Sequence, residues 1–120
     1  MATGASDQFH ALVEEDLNHE RAGALGRAGR RLASAIASCD EARLGFEHAN
    51  RAGSHRRAEE AMEDYREAFA AYQRRRVEFC IQREANRLYD QRLIDRIYPP
   101  PPRPADLPST RGPGSESRSA

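Results

Sequence analysis

The first ninety-eight residues contain no proline, and the forty-five from Ser54 to Tyr98 contain no glycine either. Proline fixes φ and removes a donor, and glycine weakens a helix by about 1 kcal/mol relative to alanine, so nothing in that stretch obliges a helix to stop. Valine and isoleucine are scarce while alanine, arginine, glutamate and leucine abound, which excludes a sheet-rich fold. The hydrophobic share is only 38% against 32% charged, a mix that suits long, largely exposed helices. Lysine is absent: nineteen arginines face nineteen Asp and Glu, so the formal charge is zero and there is no global pull towards nucleic acid or an anionic membrane. No apolar run approaches the length of about 18 residues that a membrane span needs, and the amino end lacks the charged-then-apolar pattern of a signal peptide. The expected location is cytoplasmic, where the two cysteines, Cys39 and Cys80, are ordinary reduced helix residues.

What is present is an all-α pattern. After a flexible lead at 1–5, Ser6 is a candidate N-cap and Asp7 suits the first turn; Phe9, Leu12, Val13 and Leu17 then form an apolar stripe at spacings of three and four. Gly23, Gly26 and Gly29 either break this first helix or allow a large side chain to approach it closely. From Leu25 a heptad places Leu25, Leu32, Cys39 and Phe46 at a and Ala28, Ala35, Ala42 and Ala49 at d, a narrow seam that needs bulk from its partner. Gly53 fits a left-handed C′ position and Ser54 caps the next helix, in which Ala58, Tyr65, Tyr72 and Phe79 recur every seven residues.

The sequence therefore predicts one domain, residues 6–98, built as an antiparallel hairpin of a helix at about 7–50 and a second at about 54–98, in which facing residue numbers sum to about 107. Ala42 then meets Tyr65, Ala35 meets Tyr72 and Ala28 meets Phe79. At the far end Ile81, Ala85, Leu88, Leu93, Ile94 and Ile97 are expected to pack on Phe9, Leu12, Val13 and Leu17. Pro99 ends the second helix, and residues 99–120, which hold all seven prolines, have the composition of a disordered tail. Arg96 to Pro102 matches an SH3-ligand pattern only weakly, so deleting Pro100–Ala120 is expected to leave folding and oligomeric state unchanged.

No catalytic motif is present. The glycine triplet lacks the ending of a P-loop and any preceding strand, and neither cysteine has a base beside it in sequence. Asp16 and His19, with Glu84 or Asp90 from the second helix, loosely resemble the carboxylate and histidine ligands of a metal-binding bundle. A stronger feature is a belt of arginines at one height of the hairpin: Arg27, Arg30 and Arg31 on the first helix, Arg74, Arg75 and Arg76 on the second. Ile36, Leu44, Met62, Phe69 and Val77 lie off the seam as apolar surface to be covered, and Ile36, Met62 and Phe69 with the belt form the candidate partner-binding residues. The function expected is a non-enzymatic helical interaction module, an adaptor, chaperone-like or structural component that forms homodimers or binds a protein partner. It is expected to need no cofactor, metal, membrane or small-molecule substrate. The alternatives are a small nucleic-acid-binding hairpin that uses the belt, and the metal-binding bundle.

Overall fold

The computed structural model describes residues 3–108, and among them there is no strand. Helix α1 spans Thr3–Arg51, α2 spans His55–Ala85, α3 spans Arg92–Ile97, and a single 3-10 turn covers Pro104–Asp106. The two long helices pack as an antiparallel hairpin in a molecule 87 × 24 × 16 Å in extent.

The reversal is built by its local chemistry. Gly53 takes a φ of 72°, open to it because it has no Cβ, and the Gly53 and Ser54 amides donate back to the Asn50 and Ala49 carbonyls at 3.0 and 3.1 Å. Ser54 is extended, and its hydroxyl accepts from the Arg57 amide, capping α2.

The core is the predicted seam. Ala28, Leu32, Cys39, Phe46 and Ala49 of α1 and Ala58, Tyr65, Tyr72 and Phe79 of α2 are buried. The register is fixed at the open end by Asn86, whose side-chain amide donates to the Arg21 carbonyl at 3.2 Å. Gly29 is a close approach and not a break: a Cβ there would stand 3.3 Å from the edge of Phe79 and 3.0 Å from the Tyr98 hydroxyl. At Gly23 and Gly26 a Cβ would meet only the tips of Arg27 and Arg30.

Three boundaries differ from the sequence prediction. First, α1 begins at Thr3, so Ser6 lies inside it and does not cap it. Second, α2 stops at Ala85 and does not reach Tyr98. Arg87 adopts a φ of 62°, its amide donates to the Glu84 carbonyl at 2.9 Å, and the Leu88 amide donates to the Arg83 carbonyl at 2.8 Å. This is the glycine-type helix stop made by an arginine, which is why no glycine announced it. Arg83 braces the bend: its guanidinium donates to the Asp90 carbonyl at 2.9 Å and lies 6.0 Å from the Phe79 ring centroid. Helix α3 then returns to the hairpin, where Ile94 is 1% exposed, Tyr98 meets Phe79 edge to face at 5.4 Å and Asp95 pairs with Arg76 at 3.3 Å. A straight helix would have left Ile94 on the far end of a two-helix pair; turning back buries it.

Third, residues 99–108 are not a free tail. They run back towards the turn as a strap: the buried Tyr65 hydroxyl donates to the Pro102 carbonyl, Asn50 donates to the Pro108 carbonyl at 3.4 Å, and Pro101 and Leu107 are buried. Composition argued for disorder because so few apolar residues are present. It undercounted two effects, the low ordering cost of a proline run whose φ is already fixed and the need of a buried phenol for an acceptor. The rest of the expected tail, 109–120, lies outside the described residues.

Candidate interaction surface

Because α2 ends opposite Arg21, the first part of α1 extends past the hairpin without a neighbouring helix among the described residues. Phe9 and Leu12 on this overhang are 64% and 63% exposed, and Val13 and Leu17 are exposed with them. The partners expected for them are elsewhere: Ile94 is buried against the hairpin body, while Ile81, Leu88, Leu93 and Ile97 are themselves exposed. Residues 7–20 also carry Asp7, Glu14, Glu15, Asp16 and Glu20 and no arginine. The overhang is therefore an acidic, amphipathic helix; Leu17, at its base, lines a pocket with Ala85, Asn86 and Arg87 at the end of α2, and Phe9, Leu12 and Val13 lie beyond it on an exposed apolar side.

The six belt arginines do not behave alike. Arg75 pairs with Glu78 at 3.0 Å, and Arg76 is half-buried against Asp95 and Cys80, where burial alone would lower its pKa but the Asp95 carboxylate, with Cys80 and Tyr72, raises it overall. Arg76 holds α3 in place. Arg27, Arg30, Arg31 and Arg74 are exposed and, among the described residues, form no ion pair. The off-seam residues Ile36, Met62 and Phe69 are half-buried and pack against the core, with Phe69 between Tyr65 and Tyr72 at centroid distances of 6.3 and 5.5 Å. Leu44 and Val77 remain exposed.

The hairpin has a covered flank and an open one. At about 100° per residue, Gly29, which carries Tyr98, lies to one side of the α1 seam, and Ser38, Glu41 and Gly45 lie to the other. On that open side a groove of 590 Å³ runs between the helices, floored by Ala42, Ala61 and Ala68 and rimmed by Glu41, Asp64 and Glu67. The small seam residues that let the helices approach also leave this groove unfilled.

Among the described residues no three metal-ligating side chains converge. Asp16 and His19 stand on the overhang beyond the end of α2, Glu84 accepts from Gln91 at 3.2 Å, and Asp90 accepts from the Arg92 amide at 3.1 Å. Cys39 and Cys80 are free thiols. Burial foremost, then Asp40, pushes the Cys39 thiol up, which makes it a poor nucleophile. Burial likewise pushes the Tyr65 phenol up to about 12.

The overhang was hidden from sequence reasoning by the assumed length of α2, yet one signal marks it: all the charges from 7 to 20 are acidic or histidine, whereas Arg21, Arg27, Arg30 and Arg31 follow with no carboxylate before Asp40. Among the described residues no helix is long and apolar enough to cross a membrane. Compared with protein-family models, curated proteins and solved structures, the chain matches none.

Proposed function

We propose that the chain is a non-enzymatic helical interaction module, a cytoplasmic adaptor, chaperone-like or structural component that works by self-association and by binding a protein partner. The observation that supports this most is the overhang, where Phe9, Leu12, Val13 and Leu17 share one side of a helix and are all exposed, Leu17 alone of the four lining the pocket at the end of α2. Burying each such side chain is worth about 1.5–3 kcal/mol, so a partner helix laid on this stripe gains several kcal/mol before any polar contact is made. The unpaired arginines beside it supply charge for steering and register. Light scattering of the full chain over a concentration series tests the reading: a rise in mass with concentration supports it, and a strictly monomeric chain to about 100 μM, well above common interface affinities, counts against it.

The same four open arginines, Arg27, Arg30, Arg31 and Arg74, favour a second reading, a small nucleic-acid-binding hairpin. Binding to generic RNA or DNA at low salt that weakens steeply as salt rises would move the assignment there. No shift at low salt removes it.

A further inference from the structure

We propose that the open face of α1 is a self-complementary dimer surface, in which the overhang of one copy lies antiparallel along the arginine-bearing middle of α1 in a second copy, about a two-fold axis near residues 21 and 22. This rests on the self-association reading and specifies its geometry. Charge selects the occupant and the direction. Within one helix, residues 7–20 carry five carboxylates and no arginine, while residues 21–39 carry four arginines and no carboxylate. Antiparallel pairing about residues 21 and 22 sets each block against its opposite in both halves at once; overhang against overhang, or belt against belt, sets like on like.

The helical faces agree with this seating. At about 100° per residue, the stripe of Phe9, Leu12, Val13 and Leu17 points roughly a quarter to a third of a turn away from the seam. The residues of α1 that share its direction further along are Ala24, Arg27, Arg31 and Ser34, so the second copy packs beside α1 and clear of α2. Pairs whose numbers sum to about 43 then bring Asp16 to Arg27, Leu12 to the aliphatic stem of Arg31 and Phe9 to the small, exposed Ser34. A serine there leaves room for the ring, and its hydroxyl can turn back to the carbonyl one helical turn earlier. Tyr98 lies over Gly29, on the other side of the seam, and leaves this face open.

Gly23 is an independent observation. It is exposed, and a Cβ there would meet nothing but the flexible end of Arg27 at 3.3 Å. Unlike Gly29 it gains no close contact within the hairpin, so its helix penalty of about 1 kcal/mol is uncompensated in a single copy. In the dimer it falls opposite Glu20 near the axis, where two helix backbones approach most closely. The competing seat for the overhang, the alanine-floored groove, is rimmed by Glu41, Asp64 and Glu67 and would set carboxylate against carboxylate.

The test uses sedimentation of the full chain at low salt, with Asp16→Arg and Arg27→Asp made singly and then mixed. Both positions are exposed, and circular dichroism confirms that each variant keeps its helix content. Each variant alone sets like charges together twice per dimer and is expected to raise the dimer dissociation constant roughly tenfold or more, whereas an equimolar mixture forms a heterodimer within about threefold of the wild-type affinity. A wild-type chain that stays monomeric at every concentration overturns the self-association reading and this proposal with it. A dimer that the single substitutions leave untouched, or that the mixture fails to restore, overturns this geometry alone and leaves self-association through another face standing.

Discussion

Ending the chain after Pro100 should lower the stability of the hairpin, although composition alone expects no effect. The deletion removes Leu107, 9% exposed, whose burial is worth about 1.5–3 kcal/mol, and the buried Pro101. It also removes the Pro102 carbonyl that accepts from Tyr65. With the strap gone that hydroxyl reaches water, so the loss is the net value of a hydrogen bond, about 0.5–1.5 kcal/mol. Opposing these gains is the cost of ordering the strap, about 1–2 kcal/mol for an ordinary residue. Four of the eight strap residues removed, 101–108, are prolines, however, and their φ angles are as restricted in the unfolded chain as in the folded one. The burial and the hydrogen bond removed come to about 2–4.5 kcal/mol, offset in part by the freedom the strap regains, and in a domain of this size each kcal/mol of net loss lowers the melting temperature by roughly 4–8 °C. Helix content followed at 222 nm during heating measures it, and Leu107→Ala in the full chain should reproduce a loss of about 2 kcal/mol, the low end for a buried leucine because the site lies at the edge of the fold and can collapse. A truncated chain that melts within about 1 °C of the full one, too little for even 1 kcal/mol, would show that the strap rests on the hairpin without supporting it.

The remaining predictions concern pH and backbone conformation. Burial raises the Tyr65 phenol from 10.0 to about 12 and moves Cys39 and Tyr72 in the same direction, so their contribution is whole below the unfolded values and is lost as pH rises through the folded ones. The urea midpoint should fall from about pH 9 towards 12, and Tyr65→Phe, which has no proton to lose, should fall less; a midpoint flat over that range contradicts the assignment. Gly45→Ala, with nothing within 4 Å of the new Cβ, should stabilise by about 1 kcal/mol. Gly29→Ala meets Phe79 and Tyr98 at 3.3 and 3.0 Å and should lie about 1–3 kcal/mol below Gly45→Ala in the same urea titration; equal values for the two would mean that α3 does not pack where it is placed. Arg87→Gly, at a φ of 62°, should gain about 1 kcal/mol by removing a left-handed Cβ penalty, and a loss would show that the arginine side chain is needed at the bend.

The seam was legible because it depends on local rules: a seven-residue spacing, alanine against tyrosine, and Gly53-Ser54 at the reversal. Each is a property of nearby residues, and each reappears: Ala58, Tyr65, Tyr72 and Phe79 are buried with Ala28, Leu32, Cys39 and Phe46, Gly53 takes a positive φ, and the Asn86–Arg21 hydrogen bond joins residues whose numbers sum to 107. The end of α2 was not legible, because Arg87 takes a conformation that its residue type disfavours, beside an Asn86 that bonds to Arg21 sixty-five residues away and ahead of an Ile94 that ends up buried. The strap was half legible. Leu107, the one large aliphatic residue after Tyr98, and the unmet hydroxyl of a core tyrosine pointed to it, but neither says where along the hairpin the prolines settle. The arginine belt could be placed at one height, yet which of its members are free depends on Glu78 and Asp95, and Asp95 comes back through a bend that periodicity does not encode.

The length of α1 also governs how this protein drags through solvent. A compact chain of 120 residues has a radius of gyration of about 14 Å. Here it is 22.3 Å, in a body 87 Å long and no more than 24 Å across. A rod of those proportions sweeps out far more volume as it tumbles than a sphere of the same 13.5 kDa, so a single copy leaves a sizing column early, where a compact protein of greater mass would emerge. Elution position will therefore report an apparent dimer whether or not one is formed.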